Sequence, residues 1–206
     1  NKLQEQGLSP APDTNPATLI RRAHYAVTGL PPSPEAVQAF VAEYSEERYE
    51  ALIDELLASP HYGEQWGRHW LDLVRYAETN GYERDSMKPH IWRYRDYVIN
   101  SFNQDKPYND FVQEQLAGDE LENAGPEQLI ATGYYRLGLW DDEPADPMQG
   151  KFDDLDDIVS TTANVFLGLS IGCARCHDHK IEPIPQDDYY SFLAFFHNIQ
   201  GFTRGK

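Results

Sequence analysis

Sulfur and positive charge are both scarce in this chain. Its 206 residues include two cysteines and two methionines, so any sulfur chemistry is confined to Cys173, Cys176, Met87 and Met148. Lysine and arginine total 17 against 34 acidic residues, a net charge of −17 with an isoelectric point near 4.6. Nucleic acid and anionic membrane surfaces are therefore excluded as partners, since both would repel it. Cationic partners, metal ions and a basic redox protein are not. No apolar run reaches the roughly 18 residues of a membrane span, and no charged segment followed by an apolar one opens the chain. Strand signals are almost lacking as well. Asn in first place and a Ser9–Asn15 stretch of linker character read as a piece cut from a longer, exported polypeptide.

What the sequence does have is aromatic side chains and helix starts. Thirteen Tyr, nine Phe and four Trp suit a chain that walls in a large flat apolar ligand, or an ordinary aromatic core. Asn15-Pro16, Ser33-Pro34, Ser45-Glu46 and Ser59-Pro60 each read as an N-cap with its first helical residue. The fourth helix carries Tyr62, Trp66, Trp70, Leu73, Val74 and Ala77 as one apolar stripe, with His69 projecting toward it. Glu78–Pro89 reads as a loop, and further helices follow near 90–103, 109–117 and 125–130. Asp153, Asp154, Asp156 and Asp157 suit the early turns of a long helix that runs through Val165 and Leu169 into the cysteines. A last helix from Gln186 is aromatic around most of its circumference, which predicts burial against several surfaces. The expected fold is all-α, an irregular multi-helix domain: residues 1–15 a linker, 16–58 an N-terminal helical subdomain, 59–206 a main helical domain forming one unit with it.

Gly172-Cys173-Ala174-Arg175-Cys176-His177-Asp178-His179-Lys180 is the stretch most suggestive of chemistry. Cys-x-x-Cys followed at once by His is the spacing that attaches a c-type haem. Both thiols then serve one ring, and His177 becomes the proximal iron ligand. Three other readings stay open: a thioredoxin-like dithiol, a zinc site of Cys173, Cys176, His177 and His179, and a Cys173–Cys176 disulfide. Candidates for a distal ligand are His69, His179 and Met148 in that order, with Met87 the other thioether. Asp141, Asp142, Glu143 and Asp146 form an acidic cluster able to offer hard oxygens to Ca²⁺, though without the spacing of an EF-hand loop. A solvated acidic loop explains it as well.

Trp66–Ala77, Tyr94-Arg95-Asp96-Tyr97-Val98, Leu167–Lys180 and Asp188-Tyr189-Tyr190 together resemble the planctomycete-type cytochrome-associated domain of unknown function, from about Leu19 to Phe196. The resemblance implies an exported multidomain protein, with a cytochrome c-like domain upstream and a second domain of unknown function downstream. It also implies redox proteins associated with complex-polysaccharide use, with no reaction established for the domain. By that similarity Cys173, Cys176 and His177 attach haem c, while His69 and His179 belong to the pattern without a role. Many relatives carry His-Arg-Asn and Glu-Glu-Gly-Gly where this chain has Tyr134-Tyr135-Arg136 and Asp141-Asp142-Glu143-Pro144, so no role carries over there. The expectation is a periplasmic or otherwise extracytoplasmic c-type cytochrome domain. It would transfer electrons to a redox partner or to a neighbouring cytochrome domain of the same polypeptide. The alternatives are a haem enzyme or small-ligand sensor with an open sixth site, and a non-haem interaction or carbohydrate-binding module.

Overall fold

A computed structural model describes residues 2–199. Among them are ten α-helices and no strand, so the domain is all-α and irregular, as expected. The backbone pairs across only one isolated antiparallel bridge, Thr79 with Met87, inside the expected loop. The chain divides into two compact units, one ending at Trp66 and one beginning at Gly67. The division thus falls within a helix, beyond the boundary the sequence suggests at Ser59.

The first unit contains α1 (Lys2–Glu5), α2 (Pro16–Val27), α3 (Pro34–Ala42) and α4 (Glu46–Leu57). α1 lies in the stretch read as linker and buries none of its residues. The next three helices begin where their caps predict. Asn15 accepts from the Thr18 amide at 2.9 Å, Ser33 from Ala36 at 3.1 Å and Ser45 from Arg48 at 3.1 Å. Each bond satisfies one of the donors that a helix start leaves orphaned. Ile20, Ala23, Phe40, Leu52 and Leu56 make this unit's core.

α5 (Pro60–Leu73) runs from the first unit into the second. Its buried face differs from the stripe predicted. Trp70 and Val74 are buried, whereas Trp66 and Leu73 are 41% and 60% exposed and His69 is exposed beside them. The reason is a close approach: a Cβ on Gly67 would stand 3.2 Å from the Ile99 side chain of α6 (Trp92–Asn103). Where the backbone comes nearest its neighbour, the residues one turn on become core. The helix also stops before Ala77, with Arg75 in the left-handed region at φ 55°.

Two cores build the second unit. The first gathers Trp70, Val74, Tyr94, Tyr97, Val98 and Phe111 under α6, α7 (Tyr108–Ala117) and α8 (Pro126–Ala131). Gln115, fully buried, accepts from Trp70 Nε1 at 3.1 Å and from the Tyr94 hydroxyl, joining three helices through one amide. The second core packs α9 (Pro147–Thr162) against α10 (Gln186–Phe196) through Leu155, Ile158, Val159, Tyr189, Leu193 and Phe196. Tyr135 touches both cores. α10 packs against more than one surface, α9 and the 172–175 segment, with Tyr189 1% exposed, and leaves Phe195 81% exposed.

α9 starts earlier than the sequence reading allowed. Asp146 is its N-cap, accepting from the amides of Met148 at 2.8 Å and Gln149 at 3.2 Å. Asp153 to Asp157 therefore occupy later turns and their charges answer to side chains, not to the helix start. The helix does not reach the cysteines. A π-helical turn (Ala163–Leu167) follows, Gly168 at φ 66° ends it, and Leu169 lies outside. Replacing Gln115 by Leu leaves the buried Tyr94 hydroxyl without an acceptor for its hydrogen and Trp70 Nε1 with that hydroxyl alone, at 3.2 Å. Urea denaturation is expected to show a loss of about 1–3 kcal/mol; a loss below about 0.5 kcal/mol would contradict the shared amide bond.

Candidate functional site

The Cys-x-x-Cys-His segment sits on a short 3₁₀ turn, Gly172–Arg175, with Cys176 at its end. This corrects the expectation of a continuous helix through the motif. A single turn has little intrinsic stability, so its shape has to come from tertiary contacts. Underneath, Ile171 and Ala174 are 5% and 0% exposed and pack into the α9–α10 core. Above, Cys173, Cys176 and His177 are all exposed, and both thiols are free. Burial thus alternates along the turn, with the reactive groups on its outer side.

Arg175, between the cysteines, ties the turn to α9. Its guanidinium reaches Asp153 at 2.5 Å and Asp156 at 3.2 Å. Beside the guanidinium, Asp153 is held below the usual carboxylate range. Asp156 also accepts from the Tyr189 hydroxyl of α10, and burial, then that carboxylate, pushes the phenol up. The Arg175 carbonyl is taken from the other side, by Gln186 Nε2 at 3.0 Å and the Tyr190 hydroxyl at 2.9 Å. Asp178 accepts from the Gln186 amide at 2.9 Å.

The two neighbouring histidines carry opposite tautomers. His177 Nδ1 lies 2.7 Å from the Asp178 carbonyl oxygen. A carbonyl only accepts, so Nδ1 carries the hydrogen and Nε2 keeps its lone pair. His179 Nδ1 faces the amides of Glu182 at 2.8 Å and Ile181 at 3.3 Å. Amides only donate, so here Nδ1 accepts and the neutral ring carries its hydrogen on Nε2. In His177 the nitrogen left without the hydrogen is thus Nε2, whereas His179 caps a loop through Nδ1.

The remaining candidates are not gathered at the turn. His69 stands on α5, whose buried residues belong to the first core, while the turn belongs to the second. Met87 and Met148 are each 65% exposed, one in the bridged loop and one in the first turn of α9. Asp142 and Glu143 pair with Arg84, Asp141 accepts from the Glu143 amide, and Asp146 caps α9. Among the described residues, no three His, Cys, Asp or Glu side chains are grouped to hold a metal ion, at the acidic loop or at the cysteines. None of their helices is long and apolar enough to cross a membrane.

Residues 1–201 match the family model of PSCyt2, described as a protein of unknown function (DUF1549). The chain belongs to the PSCyt2 family. No curated protein and no solved structure matches this PSCyt2 chain. The family description carries no chemistry, so the chemistry has to come from side chains.

Tested against a c-type haem, the donor set of this PSCyt2 domain fits. Two unpaired thiols and an imidazole whose Nε2 is the nitrogen without the hydrogen lie on one outer turn, with Ile171 and Ala174 buried beneath.

A second polar assembly escaped the sequence reading. Lys88, read only as part of a mixed-charge loop, is 7% exposed and donates to the carbonyls of Leu137 at 3.0 Å and Gly138 at 2.8 Å. Burial, and then the charge of Arg75, lower its amine to about 8. Arg75 in turn grips Asp157. A cavity of about 410 Å³ beside them is lined by Arg136, Trp140, Lys151, Asp154 and Asp157. No spacing rule flags such a lysine; only the long-range contacts reveal it.

Within that cavity wall Asp154 is raised to about 6 by desolvation and then by Asp157, Asp153 and Asp141. Because its ordinary value is 3.8, the folded protein holds a proton that the unfolded chain has released as pH rises through this window. Charging Asp154 therefore removes stability above about pH 6. Asp154→Asn is expected to raise unfolding free energy by about 1 kcal/mol near pH 7.5, solvent screening included, and by nothing below about pH 4. Urea denaturation at the two pH values measures it; a gain independent of pH would contradict the assignment.

Proposed function

We propose that this PSCyt2 domain is an extracytoplasmic c-type haem domain that passes single electrons within a larger polypeptide. The observation that carries the reading is the pairing of two free, outward thiols with a histidine in the ligand tautomer, on a turn packed into the fold from below. In this reading Cys173 and Cys176 would hold the ring through two thioethers, and His177 would offer the iron its Nε2. Bound there, haem c supplies one-electron chemistry, its potential set by axial ligation and by how well protein excludes water.

The surrounding residues have defined tasks in this scheme. The Asp178 carbonyl fixes the orientation of the His177 ring by accepting the Nδ1 hydrogen. His179, engaged with two amides, shapes the return of the chain toward α10. The net charge of −17 favours a basic redox partner, drawn in by the field of the whole chain. Export follows from the chemistry, because haem is joined to such motifs outside the cytoplasm.

His69 stands on α5, Met87 in the bridged loop and Met148 in the exposed first turn of α9, and His179 is committed to amides. These placements favour a sixth position filled from outside the chain, by a neighbouring domain or a small ligand. Cyanide and CO spectra of the isolated domain separate the cases: a changed spectrum indicates the open position, an unchanged one an internal ligand.

The main test is the intact mass of protein made with c-type maturation machinery and exported. Wild type is expected to gain the mass of one haem, and Cys173→Ser/Cys176→Ser none. His177→Ala is expected to keep any attached haem but to lose the absorbance of histidine-ligated iron. Wild type of bare polypeptide mass would contradict the proposal.

A further inference from the structure

We propose that Arg175, the second residue between the cysteines, is a positioning residue: it fixes the Cys173–His177 turn to α9 and α10 in the cofactor-free protein, before any thioether forms. The inference rests on the haem-attachment reading for its purpose, but its geometry stands independently of it.

The turn itself is weakly held by its own backbone. Ala174 donates to Ile171 at 2.9 Å, but the Cys176 amide reaches Cys173 only at 3.4 Å. Arg175 supplies what the backbone does not. One end of the residue, the guanidinium, spans two carboxylates one helical turn apart on α9, Asp153 and Asp156. The other end, the carbonyl, accepts from two side chains of α10, Gln186 and Tyr190. Asp156 and Tyr189 close the circuit between the helices. Gly172 lets the turn lie close on α9, since a Cβ there would stand 3.2 Å from Ser160 Oγ. A planar fork with several fixed donors can serve two carboxylates at once, whereas a lysine ammonium is a single point charge.

The consequence is preorganisation. Two thiols and a ring that must meet one rigid planar group are already ordered relative to one another, so their ordering entropy is spent in folding and not at attachment. Because Arg175 sits between the cysteines, any loosening of its grip moves both sulfur atoms and His177 together.

Amide hydrogen exchange on the full chain without haem tests the clamp directly. In Arg175→Gln the amides of Ala174, Cys176 and His179 are expected to exchange at least about tenfold faster than in wild type, while those of α6 and α7 are unchanged. Arg175→Lys is expected to fall between the two. Asp153→Asn reads the same contact from an exposed residue, so folding is not in question, and is expected to speed the same amides. Exported with maturation machinery, Arg175→Gln is expected to yield about tenfold less covalent haem per polypeptide. Equal exchange in wild type and in both the Arg175→Gln and Asp153→Asn variants overturns the inference, as does a haem-loaded wild type whose yield Arg175→Gln equals. Faster exchange in the variants with no haem on wild type supports the clamp and removes the haem-attachment reading alone.

Discussion

A guanidinium held by two aspartates of one helix is the contact on which the candidate site depends. The Cys-x-x-Cys-His turn is too short to hold its own shape, and its reactive groups are exposed. Ile171 and Ala174 fill the core beneath it, but apolar contacts alone are not directional. The Arg175 bonds to Asp153 and Asp156 supply direction, and the Gln186 and Tyr190 bonds to its carbonyl supply it from the opposite side. α9 and α10 thus serve as a rigid bracket, and rigid elements hold functional groups more closely than loops do.

Local rules explain the parts of the fold that were legible. A cap acts within four residues, so Asn15, Ser33 and Ser45 announce their helices regardless of what packs on them. The all-α class follows from many such starts and scarce strand signals. Choosing a buried face is not local. Trp66 and Trp70 fit the same apolar stripe, and the approach of Gly67 to Ile99 selects Trp70. The start of α9 was misplaced for a related reason: four aspartates near 153–157 look like first-turn residues until Arg75 and Arg175 are seen beside them.

The site was legible in its donors and not in its supports. Spacing singled out Cys173, Cys176 and His177 as candidates and ranked His179 apart from them. It did not reveal that Nδ1 of His177 meets a carbonyl and that of His179 two amides. Nor did it reveal Arg175 as a support, or Lys88 buried against two carbonyls, since both depend on partners far away in sequence. The aromatic residues of α10 suggested burial against more than one surface, and it meets α9 and the cysteine turn while Phe195 faces solvent.

Membership of PSCyt2 fixes the family and leaves the chemistry to these side chains. The most direct measurement is the pyridine haemochrome spectrum of the exported, matured domain after extraction with acidified acetone. Haem that stays with the polypeptide and gives the α-band of a ring with both vinyl groups saturated is the expected result. Haem that leaves with the solvent, or no haemochrome at all, would contradict attachment through Cys173 and Cys176.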